Sequence, residues 1–496
     1  MVANVTSRVR IILALSIFLM LQFMNSANAD DKYFDQSKYK LIASKALNSA
    51  RAIIASSHPG YIDLQNHGFI AVENESYNTA LDLIQNVDSR SDAFAVLKVY
   101  VNSFQDGHLQ AFDPSAASDL KWAGWLVEKK GQSYVIKHAA KSLDLQIGSV
   151  IQSCNGKSIE NYLTENLSRY IDQRLTLGSA RSDLVKSLTI TSPSVPIIGE
   201  FERVCEIISP QGRREVVKIE WRAATDELYS LLTQPSRSFG FEMKEKGLLW
   251  IRASDFSISN ASSQKMEKVL NDLVLIDQAK AIVFDTRGNQ GGDSAIGDRI
   301  LRAIFGSKYV DDLRRSNQQE YAEWRVSDFA IQALKERDVW FASSLGQESQ
   351  EFRMNTRLLG LMRDAKKKKI KWVRQPDDIK ETFYVKKAPL QSKVFLITDE
   401  RCTSACLDFV DVIKKIPDVQ HIGQPTSGDT NYIDVGTADV DGGFKIWVPL
   451  KVWRNRVRGS NMFYVPNVEV EDIWNDDALT ELVYAKLGIS HGKIGP

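Results

Sequence analysis

The chain is short of histidine, cysteine and net charge, and each shortage removes a class of function. It has 6 His and 4 Cys in 496 residues. No His-Glu-x-x-His or Cys-x-x-Cys spacing occurs, and Cys402-x-x-x-Cys406 has no second ligand pair, so no metal is expected. Lys+Arg number 63 against 62 Asp+Glu, a net charge of +1. A near-neutral chain has no electrostatic footprint for nucleic acid, and no nucleic-acid partner is expected. Neither Gly-x-Gly-x-x-Gly nor a Walker loop is present, and no cofactor is expected. After residue 29 no stretch is apolar enough to cross a bilayer, so no stable membrane anchor is expected. Internal repeats and low-complexity tracts are lacking too.

What is present begins with an export signal. Arg8 and Arg10 precede an apolar run from 11 to 23, broken by Ser16 and Gln22, and Ala27-Asn28-Ala29 is a small-x-small cleavage site. Residues 1–29 therefore read as a signal peptide. The expected location is periplasmic or secreted, and there the cysteines can pair. Cys154–Cys205 and Cys402–Cys406 are the expected disulfides, each pair lying within one region; four buried thiols are the alternative.

The length predicts two to four domains. Residues 30–118 read as a helical domain: one helix over 36–57 and one or two over 76–104, with Ser91 as an N-cap. Residues 119–225 read as a β-rich module. A hairpin is expected around Lys130-Gly131, a strand over 145–151, a turn at Asn155-Gly156, a short helix over 159–167, and strands near 203–208 and 215–221. Residues 226–496 alternate strand with helix. The strands are 248–251, 281–284 and a run ending at Thr398; helices are expected over 264–275, 294–304 and from about Thr403. Alternation of this kind predicts an α/β core with its sheet covered on both faces. Residues 310–390 show less pattern, and Lys366 to Lys369 read as a solvated helix end or loop.

Three segments carry chemistry. Ser404, in Arg401-Cys402-Thr403-Ser404-Ala405-Cys406, stands at a strand-to-helix junction, where free N–H groups and the helix dipole can hold an oxyanion. A helix N-cap is the plainer reading of such a serine, and no Gly-x-Ser-x-Gly elbow surrounds it. Asp285-Thr286-Arg287-Gly288-Asn289-Gln290-Gly291-Gly292 follows a buried strand and offers bare N–H groups. It suits an anion hole, or a tight connection held by an Asp285–Arg287 pair; Ser294 beside it is a rival nucleophile or its own helix cap. His108, in Asp106-Gly107-His108, is the histidine in a turn with a carboxylate beside it, and imidazole is the usual base for a serine nucleophile.

Together these segments resemble the C-terminal processing (tail-specific) serine peptidases, and within them the tricorn-like branch. Asp106-Gly107-His108 is similar to that branch's Asp-Gly-His, 285–292 to the family's Asp-x-Arg-Gly-Asn-x-Gly-Gly, and 402–405 to its nucleophile segment. Leu145 to Gly156 resembles a PDZ-like signature. The resemblance implies a ClpP/crotonase-like catalytic core with an N-terminal helical segment and an inserted PDZ-like β-rich domain. It implies Ser404 as nucleophile, with the N–H groups of Ala405 and Gly291 (or Gly292) as oxyanion hole. The substrate implied is a polypeptide, bound through its C-terminus if the PDZ-like module works by strand addition. Trp122-Ala123-Gly124-Trp125 departs from a carboxylate-binding loop.

Two departures bear on the base. The segment Thr426-Ser427-Gly428-Asp429-Thr430-Asn431 has no lysine, which favours His108. The late glutamate of the tricorn-like branch is absent, with Asn461 or Ser460 about its place, so Asn461, Ser460 and Asp106 are the candidates for orienting the imidazole. A non-catalytic binding protein on the same fold, an acyl-ester hydrolase and a crotonase-like enzyme are the competing readings.

Overall fold

The structure, a computed structural model, describes residues 37–116, 120–199, 202–233, 239–257, 279–314, 320–376 and 392–489. The signal peptide and the helix expected over 264–275 lie outside the described residues.

The core is a six-stranded sheet in the order Gly240–Lys244, Leu248–Arg252, Ala281–Asp285, Lys393–Thr398, Gln420–Gly423, Val468–Glu469. The first pair is antiparallel and every later pair parallel. Its central strands are buried on both sides, which is why they read as unbroken apolar runs. Leu249, Ile251, Ile282, Phe284, Val394 and Leu396 face the helices Ser294–Phe305 and Ala405–Ile413. Leu248, Trp250, Val283, Phe395 and Ile397 face the helix Asp476–Lys486.

A second sheet is antiparallel and was not legible in the sequence. Its frame is the hairpin Tyr432–Val440 and Phe444–Arg454, the latter also pairing with Gln110–Phe112 and Tyr321–Arg325, which in turn pairs with Trp372–Arg374. Residues 37–57 are helical, as expected, and helices Phe69–Leu83 and Arg90–Asn102 follow. These bury Leu47, Ile54, Phe94, Leu97 and Tyr100 against Phe444, Ile446 and Val448 of the hairpin. The third helix is capped by Ser89, whose Oγ accepts from the Asp92 N–H at 3.1 Å; Ser91 lies inside the first turn. The described residues within 310–390 are also more regular than their pattern implied, with helices Asp328–Ser344 and Gln350–Lys367. Lys366 and Lys367 close the second of these, paired with Asp328 and Asp364.

The β-rich module is a meander of Trp125–Lys130, Ser133–Ala139, Val150–Cys154, Val204–Ile208 and Arg214–Lys218, antiparallel throughout. The third strand begins at Val150 rather than 145, and the last ends at Lys218 rather than 221. Cys154 and Cys205 are register partners and are disulfide-bonded. The short helix over 159–167 continues with a π-helical turn at Tyr162–Leu167, and a further helix, Gly178–Thr189, packs beneath the sheet. Trp122 and Trp125 are buried, so they act as packing residues and not as an open binding loop.

Candidate active site

Ser404 is the pivot between strand Lys393–Thr398 and helix Ala405–Ile413. Its backbone is left-handed, at φ 54° and ψ −124°. A non-glycine residue there costs on the order of 1–3 kcal/mol and persists only when its surroundings impose it. Two constraints do so. The disulfide Cys402–Cys406 brackets the serine, with both cysteines fully buried. The Leu407 N–H donates to the Ser404 carbonyl at 2.8 Å, starting the helix. Ser404 offers no side-chain cap to its helix, and its hydroxyl is turned elsewhere.

It is turned toward His108. Nε2 of His108 lies 3.2 Å from Ser404 Oγ, across 296 residues of sequence. The approach follows from sheet pairing. His108 stands two residues before strand Gln110–Phe112, which pairs with Lys445–Trp447, and this antiparallel contact carries the end of the helical segment to the catalytic face. Asp106 Oδ1 accepts the His108 backbone N–H at 2.9 Å, fixing the turn.

The glycine-rich turn lies against the serine. The Asp285 carboxylate holds Arg287 through Nε at 2.8 Å and Nη2 at 2.5 Å, and Arg287 Nη1 donates to the Ile473 carbonyl at 2.6 Å. The tight-connection reading therefore describes the base of this loop, which the Asp285–Arg287 pair braces. Asp399 ties that loop to the nucleophile segment, accepting from the Gly288 N–H at 3.0 Å and the Arg401 N–H at 3.3 Å. Burial pushes its carboxyl up to about 6 despite those donors.

Of the two N–H groups expected to form the oxyanion hole, that of Ala405 is the first of its helix and has no intrahelical acceptor. The Gly291 N–H differs from the expectation: it donates to Asn289 Oδ1 at 2.8 Å, an Asx-type contact two residues back. Gly292 is bridged to Phe256 through its neighbours, the Asp293 N–H donating to the Phe256 carbonyl at 2.8 Å, and its own N–H has no partner among the described residues.

The candidates for orienting His108 are placed unequally. Ser460 is exposed. Asn461 donates from Nδ2 to the Gln105 carbonyl at 2.9 Å, which braces the turn before Asp106 and not the ring. Asp106 Oδ1 stands 3.8 Å from His108 Nδ1. Burial opposes the Asp106 charge, but His58, His108 and the His108 backbone N–H outweigh it and hold the carboxyl below its usual range. The rival Ser294 is neither nucleophile-like nor a cap: Asp293 caps that helix, and Ser294 Oγ donates to Asp408 Oδ2 at 2.6 Å.

Three features were missed by sequence reasoning. One is a buried network behind the nucleophile helix, in which Arg458 meets Asp408 at 3.3 Å, Asp411 at 3.0 Å and Asp429. Burial pushes both Asp411 and Asp429 up to about 6. The second is a contact from the β-rich module: Ser182 Oγ donates to Glu400 Oε2 at 2.7 Å, and Ser179 and Ser427 hydroxyls meet at 2.9 Å. The third is His58, buried beside Asp106. Serines and a lone histidine carry no pattern that would have marked them. Among the described residues no cluster of His, Cys, Asp or Glu is arranged to hold a metal ion.

A hydroxyl at a strained strand-to-helix turn with an imidazole in hydrogen-bond range is the arrangement of a serine-type peptidase. Residues 247–459 match the family model described as peptidase family S41. Over these residues the chain is similar to that family, and it is a serine-type peptidase with polypeptides as its substrate class. At the level of fold it is similar to mature CPAF, at 13% identity over 90% of this chain and 97% of that one, with a TM-score of 0.56. The same identity, share of this chain and TM-score hold for mature CPAF complexed with lactacystin, of which 99% is covered. Tricorn protease matches at 11% identity over 91% of this chain and 37% of that one, with a TM-score of 0.39. No curated protein sequence matches the chain.

Proposed function

We propose that the chain is an exported serine endopeptidase of the tricorn-like branch that cleaves polypeptides through an acyl-enzyme at Ser404. The observation that carries this reading is the 3.2 Å approach of His108 Nε2 to Ser404 Oγ. In the proposed cycle His108 takes the hydroxyl proton as Ser404 attacks the peptide carbonyl. It then returns that proton to the leaving amine, and water releases the acyl group. General-base help of this kind is worth on the order of 10²–10⁴ in rate.

The Ala405 N–H is the first oxyanion donor. The second is the Gly291 N–H once Asn289 Oδ1 releases it, or the Gly292 N–H beside it; each donor is worth about 10²–10³. Asp106 supplies the carboxylate that steadies the imidazolium, in place of the glutamate this sequence lacks. Apo geometry is often long and tightens when substrate arrives, so a 3.8 Å gap suits this role. The β-rich module is read as PDZ-like, its sheet presenting an extended peptide, or the C-terminus of one, to the site.

The test is a fluorophosphonate probe and a casein assay on the mature chain from Asp30. Covalent labelling at Ser404, with casein cleavage abolished in Ser404→Ala and His108→Ala, is the expected result. Folded protein that neither labels nor cleaves would overturn it and favour the non-catalytic binding protein. Fractionation of cells expressing the full chain checks export, with mature protein outside the cytoplasm as the expected outcome.

A further inference from the structure

We propose that His58 is a positioning residue of this site: its Nε2–H holds the Asp106 carboxylate against the His108 ring, completing a line His58–Asp106–His108–Ser404. The inference rests on the reading of His108 as base.

Three atoms along that line are buried without a hydrogen-bond partner: His58 Nε2, Asp106 Oδ2 and His108 Nδ1. An unpaired buried polar group is costly, so three in one place call for an explanation. They are complementary, a donor, an acceptor and a donor. His58 Nε2 lies 3.8 Å from Asp106 Oδ2, and His108 Nδ1 lies 3.8 Å from Asp106 Oδ1. Closing each gap by about 1 Å makes two hydrogen bonds.

The tautomer of His58 is set by its other nitrogen. Nδ1 accepts the Gly60 N–H at 3.0 Å, so the neutral ring carries its proton on Nε2, facing Asp106. Burial keeps the ring neutral, lowering its pKa ahead of the opposing pull of Asp106. What His58 offers is therefore an N–H dipole and not a second cation. Its ring cannot swing away. It stacks on Phe69 at 4.6 Å, meets the edge of Tyr432 at 4.9 Å, and its carbonyl is held by Arg325 Nη1 at 2.6 Å. Asp63 and Arg325 are the other charges near the ring, and Arg174 the other charge near Asp106. A purely structural role, capping the turn at Pro59–Ile62, uses only Nδ1 and leaves the aim of Nε2 unexplained.

The experiment compares His58→Asn, which keeps an acceptor for the Gly60 N–H but has nothing at Nε2, with His58→Gln, which places an amide N–H near the Nε2 position. Turnover of fluorescein-labelled casein by the mature chain is the readout. The expected result is a kcat about tenfold lower for His58→Asn with KM unchanged, a fraction of the whole general-base effect. His58→Gln should recover most of that loss, and His58→Asn should cost nothing further in an Asp106→Asn background. Wild-type kcat in His58→Asn, or losses that multiply in the double variant, would overturn the proposal. If His58→Asn does not fold, His58→Phe keeps the ring stack and takes its place, with the same expected loss and the same overturning results. Wild-type labelling of Ser404 in His108→Ala is a separate outcome, and it would overturn the base assignment itself.

Discussion

Gly291 presses on Ser404 so closely that a β-carbon at 291 would sit 2.7 Å from the Ser404 Cβ and 2.8 Å from the Thr403 carbonyl oxygen. Its φ of +95° is itself outside the range of ordinary side chains. Gly291→Ala must therefore displace either the turn or the serine. The expected outcome is a loss of about a hundredfold or more in fluorophosphonate labelling rate. Circular dichroism should show the fold retained, because the clash is confined to the turn.

Asp399 sets a pH dependence whose sign can be worked out. Its folded pKa, about 6, lies above the ordinary 3.8, so the folded state binds its proton more tightly. Its contribution to stability is full below the unfolded value and is lost as pH rises from about 4 through about 6. Asp399→Asn keeps an acceptor for the Gly288 N–H and removes the buried charge. The variant should melt a few degrees higher than the parent at pH 7.5 and no higher at pH 4, corresponding to about 3 kcal/mol at most. Differential scanning fluorimetry at the two pH values checks this; an equal shift at both would contradict it.

Arg458 serves three carboxylates at once. Its side chain is 2% exposed, and Asp408, Asp411 and Asp429 all lie on it. Arg458→Met fills the space but leaves buried carboxylates with less compensation. Breaking a buried ion pair from one side costs about 3–5 kcal/mol. A denaturation midpoint lowered accordingly is expected, with the deficit shrinking as pH falls toward about 6 and level below it, because Asp411 and Asp429 take up protons at higher pH once Arg458 no longer lowers them.

Ser182 tests whether the β-rich module stiffens the nucleophile segment. Its hydroxyl donates to Glu400, whose carboxyl is pushed up by burial ahead of that bond's opposing effect. Ser182→Ala leaves the carboxylate short of a donor at a cost of about 1–3 kcal/mol. Faster hydrogen exchange over residues 399–404 is the expected signature, and unchanged exchange would show that the module is only a neighbour.

How much of this was legible beforehand divides along physical lines. The apolar strand ending at Thr398, the serine junction and the helix behind it were readable, because a strand buried on both faces and an amphipathic helix leave clear patterns. The Asp285–Arg287 pair was readable from two residues alone. The hairpin Tyr432–Arg454 was not: its polar outer face interrupts the apolar positions, and its role comes from pairing with strands 110–112 and 321–325, which local sequence does not encode. The helix Asp328–Ser344 carries Lys335, Glu336, Arg337 and Asp338 in mid-course, which masks its buried positions Ala330, Leu334 and Phe341. The occupant of the Gly291 N–H was missed because Asn289 reaches it through a rotamer, and sequence does not specify rotamers. Ser89 displaced Ser91 as cap for a related reason: both are suitable residues, and only the entry angle of the chain selects one.

The strand that delivers His108 has a consequence for the order of events during synthesis. The imidazole is made early and the alcohol late, but neither fixes the other's place; the seat for strand 110–112 is at residues 445–447. A ribosome that has already released Ser404 from its tunnel has still to make that seat. The growing polypeptide therefore passes most of its manufacture with its two reacting groups apart, and they cannot be brought together by this pairing before residues 445–447 have been made.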